Sequence, residues 1–208
     1  MENPIEQSIE LLASKYAKAL KQKLEEREVA MEGDNISHLL LYKVLGVTES
    51  EGKLIDLYQN KGRFLYKYAG TFLEEATKLC FQYKYPESQR QLVPNTQSNR
   101  PKTFEIDCLI GDKAFEIKWR DATTDGDHIT KEHNRVKAIQ VAGYIPIRIM
   151  YYYPNREQAK RIQATLATLY KGVNGEYYSG EAAWEYVKNF TGIDLELIII
   201  NIAGKMRA

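Results

Sequence analysis

Asp107, Glu116 and Lys118 fall within one short stretch, TFEIDCLIGDKAFEIKWRD, and their types suit one task. Two carboxylates held close together repel each other, and a shared proton or a divalent cation relieves the repulsion. An ammonium group beside them can hold a phosphate oxygen or orient a water. The set therefore points to metal-assisted hydrolysis. Two other readings of the same residues stay open. One is an amphipathic hairpin whose mixed charges simply face solvent. The other is a retaining glycosidase, which also pairs carboxylates about 5–5.5 Å apart but gives Lys118 no role.

The positioning element is a β-hairpin. Gly111-Asp112 is a favourable two-residue turn. With Ile110 and Lys113 flanking it, Asp107 falls opposite Glu116 as a non-hydrogen-bonded pair, with Cβ atoms about 4.5–5.5 Å apart. Glu105 then falls opposite Lys118 and pairs with it. Lys118 lies two residues beyond Glu116 on the same face, about 7 Å along the strand. The other face, Phe104, Ile106, Cys108, Phe115, Ile117 and Trp119, is apolar and packs on helices.

The surrounding chain supplies those helices. Helical spacing runs from Pro4 to about Glu28, from His38 to Leu45 and from about Lys61 to Phe81. Gln82 to Lys102 is polar, contains three prolines and reads as a loop. A helix follows from about His128 to Ala142. Tyr144 to Tyr153, apolar on both faces, reads as a central parallel strand. Two further helices fill Arg156–Tyr170 and Glu181–Phe190, with a Gly- and Tyr-rich loop between them. Leu195–Ile202 is compatible with strand or helix. The expected organisation is one α/β (α+β) domain over 1–208, with 1–60 a helical extension and about 61–208 a core of sheet and flanking helices.

Composition narrows the classes. A 208-residue chain with 44% apolar residues buries a real core. The net charge of +1 does not mark a nucleic-acid binder, but it allows basic residues to cluster on one face. Two cysteines exclude a disulfide framework, and reduced, buried thiols fit a cytoplasmic protein. His128 and His133 do not share a helix face, which argues against a zinc site. The segment LELIIINIA is too short to span a bilayer, and no signal peptide is visible.

Asp107 followed by Glu116-Ile117-Lys118 resembles the PD-(D/E)xK nuclease motif, with Ile106 where the motif name puts proline. The order of helix, acid-bearing hairpin, helix and buried strand matches too. The run GDHITKEHNRVKAIQVAGYIPIRIMYYYPNREQAKRIQ resembles type II restriction endonucleases of the ApaLI-like group. The resemblance implies a restriction-endonuclease-like mixed central sheet and Mg²⁺-dependent cleavage of double-stranded DNA at a short palindrome, leaving 5′-phosphates. It also implies a homodimer and a cognate DNA methyltransferase in the host. Asp107, Glu116 and the Ile117 carbonyl would hold the metal, and Lys118 would assist the attacking water. Many members add an acid from the preceding helix. Glu75, on the edge of that helix's apolar arc, is the expected ligand, while Glu74 is expected to pair with Lys78. Candidate DNA contacts are Arg120, His128, Lys131, Asn134 and Arg135, with Arg100 and Lys102 in a second basic-polar set that also includes Gln89, Arg90 and Asn99. A structure-specific repair or junction nuclease of the same fold, and a non-catalytic DNA-binding module, remain the alternatives.

Overall fold

The alternating residues around Gly111 form a hairpin at the middle of a five-stranded sheet. The computed structural model describes residues 4–97, 100–120 and 126–206, with the backbone alone at 126–128 and 206. The elements in chain order are α1 (Pro4–Glu32), α2 (Leu39–Val44), α3 (Glu49–Lys84), β1 (Gln89–Pro94), β2 (Thr103–Ile110), β3 (Lys113–Arg120), α4 (Gly126–Val141), β4 (Ile145–Tyr152), α5 (Glu157–Gly172), β5 (Glu176–Ser179), α6 (Glu181–Thr191) and α7 (Leu195–Met206). Strand order follows chain order, β1-β2-β3-β4-β5. The first three strands pair antiparallel, and β4 and β5 add in parallel. The fold is a mixed sheet flanked by helices.

Helices cover both faces of the sheet, which explains why Pro146 to Tyr151 of β4 are all buried. On one face Phe81 of α3 packs at 4.6 Å on Phe115, and Trp184 of α6 at 4.1 Å on Tyr151. The Tyr151 hydroxyl and Thr77 Oγ1 of α3 lie 2.6 Å apart in a buried hydrogen bond. On the other face Ala138 and Ile139 of α4 pack with Phe104, Ile106, Leu109 and Ala114.

That last cluster corrects the expectation of one apolar hairpin face. Phe104 and Ile106 share a face with Leu109 and Ala114, whereas Phe115 packs on the opposite side. The cause is a bulge in β2. Gln91 pairs with Ile106 and Gln89 with Leu109, so Arg90 alone stands opposite Asp107 and Cys108. The extra residue breaks the period-two alternation and flips everything on one side of it.

Three boundaries also differ. The expected loop 82–102 contains β1, an edge strand that buries only Val93. An edge strand needs one row of partners, so it shows no apolar periodicity and tolerates Pro94 at its end. The Tyr-rich segment after α5 contains β5, four half-buried residues too few to show a period. The third helix begins at Glu49, well before Lys61, and Thr48 Oγ1 bonds Glu51 at its start. The ambiguous Leu195–Ile202 segment is helical.

The chain divides into two compact units, residues 1–9 with 73–208, and residues 10–72. The boundaries fall inside α1 and α3. Within the smaller unit Tyr16 meets Tyr68 and Phe72 edge-on at 6.1 and 6.2 Å, and Arg27 lies over the Phe64 ring at 5.5 Å.

One glycine sets how closely β5 approaches the sheet. A Cβ on Gly175 would lie 2.4 Å from the Pro146 carbonyl oxygen, which belongs to a central strand and cannot retreat. Gly175→Ala should therefore lose about 1–3 kcal/mol, as overpacking does, and lower the melting temperature by roughly 2–4 °C per kcal/mol. Thermal denaturation reads this directly, and an unchanged midpoint would contradict the tight approach.

Candidate active site

The β2/β3 ladder runs from the turn through Leu109–Ala114 to Cys108–Phe115, in the register the Gly111-Asp112 turn demands. Gly111 adopts φ +57°, a conformation that strongly favours glycine. Past Cys108 the bulge takes over. Asp107 turns its carboxylate toward β3, where Oδ2 accepts the Ile117 N–H at 2.8 Å. A side-chain oxygen thus occupies the place of a ladder carbonyl, and it anchors Asp107 next to Glu116.

Asp107 and Glu116 are 9% and 2% exposed, too dry for two charges without compensation. Lys118 supplies part of it. Its Nζ is ion-paired with Glu116 Oε1 and lies 3.7 Å from Asp107 Oδ2. Arg135 of α4 also places Nη1 on Glu116 Oε1. Arg148, the β4 partner of Glu116, adds a third nearby positive charge.

These charges divide the two acids. For Glu116, burial alone would raise the pKa, but Lys118, Arg135 and Arg148 together bring it below the usual carboxylate range. For Asp107, burial raises the pKa and the Glu116 charge raises it further, with only partial relief from Lys118. Lys118 stays protonated, because Glu116 and Asp107 outweigh the cost of its burial.

Behind Glu116 lies a buried network that the sequence reading missed. Glu132 of α4 accepts Arg148 Nη1 at 3.0 Å and the Tyr170 hydroxyl at 2.6 Å, both on Oε1. Its Oε2 lies 3.9 Å from Arg135 Nε. The available signal was Arg148 itself. A lone charge in the middle of the apolar strand IPIRIMYY requires a buried partner.

Other candidates fall elsewhere. Glu105 pairs with Arg90 of β1, correcting its expected pairing with Lys118, because the bulge shifts its register. Glu74 does pair with Lys78, but it also bears on the site. Its charge helps raise the Asp107 pKa. Arg135 is held by Glu116 and Glu132 and is only 15% exposed, so it sits among the acids and not on an open DNA-facing surface. Lys131 is exposed and Asn134 half-buried on α4, and Arg100 and Lys102 are exposed beside β2. Arg120 lies against Trp119, at 5.6 Å from its ring centre. With Tyr152, Tyr153, Pro154 and Asn155 these two line a cleft of about 430 Å³ at the C-terminal ends of β3 and β4. The His128 side chain and Asn99 lie outside the described residues.

Among the described residues no three His, Cys, Asp or Glu side chains converge on one point. The site offers two carboxylates, Asp107 and Glu116. Such a donor set suits a hard cation that keeps most of its own waters, as Mg²⁺ does, and not zinc.

A mixed sheet backed by helices on both faces, with an acid pair and a lysine on its central hairpin, has the restriction-endonuclease-like fold. The family follows from comparison with known proteins. Residues 1–204 match the ApaLI-like restriction endonuclease model, and the chain belongs to that family. It is a restriction endonuclease, and its substrate is DNA. No curated protein and no solved structure matches the chain. Among the described residues no helix is long and apolar enough to cross a membrane.

Proposed function

We propose that this restriction endonuclease is of type II and cuts double-stranded DNA within a short palindrome, using Mg²⁺ held by Asp107 and Glu116. The observation that carries the reading is the buried acid pair at the hairpin fork, with Lys118 against both carboxylates. Two buried carboxylates of which one resists ionisation form a site that a divalent cation would complete. When bound, that ion supplies a Lewis acid for the scissile phosphate and acidifies a water. We assign the Ile117 carbonyl and the Glu74 carboxylate to it as additional oxygen donors, Glu74 in place of the expected Glu75 because its charge bears on Asp107.

The chain's own groups then perform the remaining tasks. Lys118, protonated, donates to a phosphoryl oxygen and stabilises the charge that develops there. It does not serve as the base in that state. Arg120 and Trp119, at the cleft by the strand ends, and Lys131 and Asn134 on α4 are the DNA contacts we favour. Hydrolysis would leave 5′-phosphates.

A palindrome read by two symmetric copies implies a homodimer. In the 10–72 unit Leu40, Leu41, Val44 and Leu45 of the α2 segment and Leu54, Ile55 and Tyr58 of α3 are half or more exposed, apolar surface that self-association would cover. Lys43, Glu49 and Lys53 in the same unit carry both signs and pair with one another. Light scattering should give twice the 24.0 kDa of one chain. A host making such an enzyme would also carry a DNA methyltransferase of matching specificity, and would hold both in its cytoplasm.

The decisive experiment incubates the purified protein with phage DNA, with Mg²⁺ or with EDTA, and sequences the ends. Discrete bands with a shared terminal sequence and 5′-phosphates, lost in EDTA, support the proposal. Cleavage at branches or mismatches alone would replace it with a structure-specific nuclease, and cleavage that survives EDTA would remove the metal from it.

A further inference from the structure

Arg135 has the chemistry of a DNA contact and the location of something else. It stands on α4 with its guanidinium 5.9 Å from the centre of the Phe104 ring. Its Nη1 meets Glu116 Oε1, and its Nε faces Glu132 Oε2 one turn back on the same helix. Glu132 is itself fixed to β4 through Arg148 and to α5 through Tyr170. The chain of buried charges thus starts on three elements and ends on one oxygen of Glu116.

Lys118 meets that same oxygen. Both cations therefore crowd Oε1, and a planar carboxylate with one oxygen held is fixed in rotation.

We propose that Arg135 is a positioning residue, which holds Glu116 by Oε1 and so presents Oε2 to the metal. The inference rests on the metal-dependent reading above. It also makes α4 a mechanical link. Any shift of that helix, whose exposed side carries Lys131, moves Arg135 and with it the Glu116 carboxylate.

The test compares wild type, Arg135→Met and Arg135→Lys in four measurements. These are Mn²⁺ binding to the free protein by calorimetry, the Mg²⁺ concentration for half-maximal cleavage, oligonucleotide affinity in EDTA, and melting temperature. Loss of a group that orients a metal ligand commonly weakens affinity or activity by 10–100-fold. Arg135→Met should weaken Mn²⁺ binding and raise the Mg²⁺ midpoint by about tenfold or more, with DNA affinity in EDTA within about twofold of wild type. Arg135→Lys, which keeps the charge, should recover part of the metal affinity, and it carries the test if the Met variant fails to fold. Unchanged metal affinity overturns the proposal. If DNA affinity falls instead, Arg135 is a DNA contact, and if only the melting temperature falls, its role is purely structural. A wild-type protein that binds no Mn²⁺ and cuts nothing in Mg²⁺ would instead refute the metal-dependent reading itself.

Discussion

Asp107→Asn should abolish cleavage, by at least about 10³-fold or roughly 4 kcal/mol of transition-state stabilisation, while making the metal-free protein more stable. The two effects have one origin. The amide keeps an acceptor for the Ile117 N–H, so the fork survives. It removes the charge that burial, Glu116 and Glu74 all oppose. In the proposed site a bound cation would relieve this repulsion.

The pH dependence separates this from an ordinary loss of function. An acid whose folded pKa is raised stabilises the fold fully below its unfolded pKa, and that contribution is lost as pH rises through the folded value. Asp107 behaves this way. Glu116, with its pKa depressed, contributes above its unfolded value and loses that contribution as pH falls through the folded one. Wild-type protein in EDTA should thus lose stability from about pH 5 to pH 8 through Asp107, and Asp107→Asn should flatten that slope. Mg²⁺ should stabilise wild type at the upper end and leave the variant nearly unaffected. Urea titrations at the two pH values, with and without Mg²⁺, measure all of this. A variant less stable than wild type in EDTA at pH 8 would show that the acid pair is not under the stress described.

The second large effect is on stability alone. Glu132→Ala should cost about 3–5 kcal/mol, as removal of one partner from a buried ion pair does. It removes Glu132 Oε1 from the Arg148 guanidinium and the Tyr170 hydroxyl, which both hydrogen-bond to it. Arg148 is 8% exposed and cannot turn to water without opening the sheet face. At roughly 2–4 °C per kcal/mol for a chain of this size, the melting temperature should fall by well over 5 °C. The double variant Glu132→Leu/Arg148→Met should recover much of the loss, because apolar groups of similar volume replace a buried pair at little cost. A Glu132→Ala protein within 1 kcal/mol of wild type would mean that water reaches the network and already screens it.

The acid pair and its lysine were legible because their proximity is local. The turn fixes the ladder as far as Cys108–Phe115 and so puts Asp107 near Glu116 and Lys118, although Asp107 meets β3 through its side chain on the Ile117 N–H and not as the expected partner of Glu116. The central strand β4 was legible for a similar reason, since burial on both faces leaves an uninterrupted apolar run. What escaped depends on partners distant in the chain. The bulge at Asp107–Cys108 exists only in the pairing of β2 with β1, a strand too polar and too exposed to announce itself. It moved Glu105 from Lys118 to Arg90, and it put Phe104 and Ile106 on the α4 side. Glu132, Arg148 and Tyr170 come from three elements, and no spacing along the chain marks them as neighbours. Turn chemistry and side-chain alternation act over a few residues and can be read directly. The charge balance that sets how Glu116 is held is a sum over groups that only the packed helices and sheet bring within range.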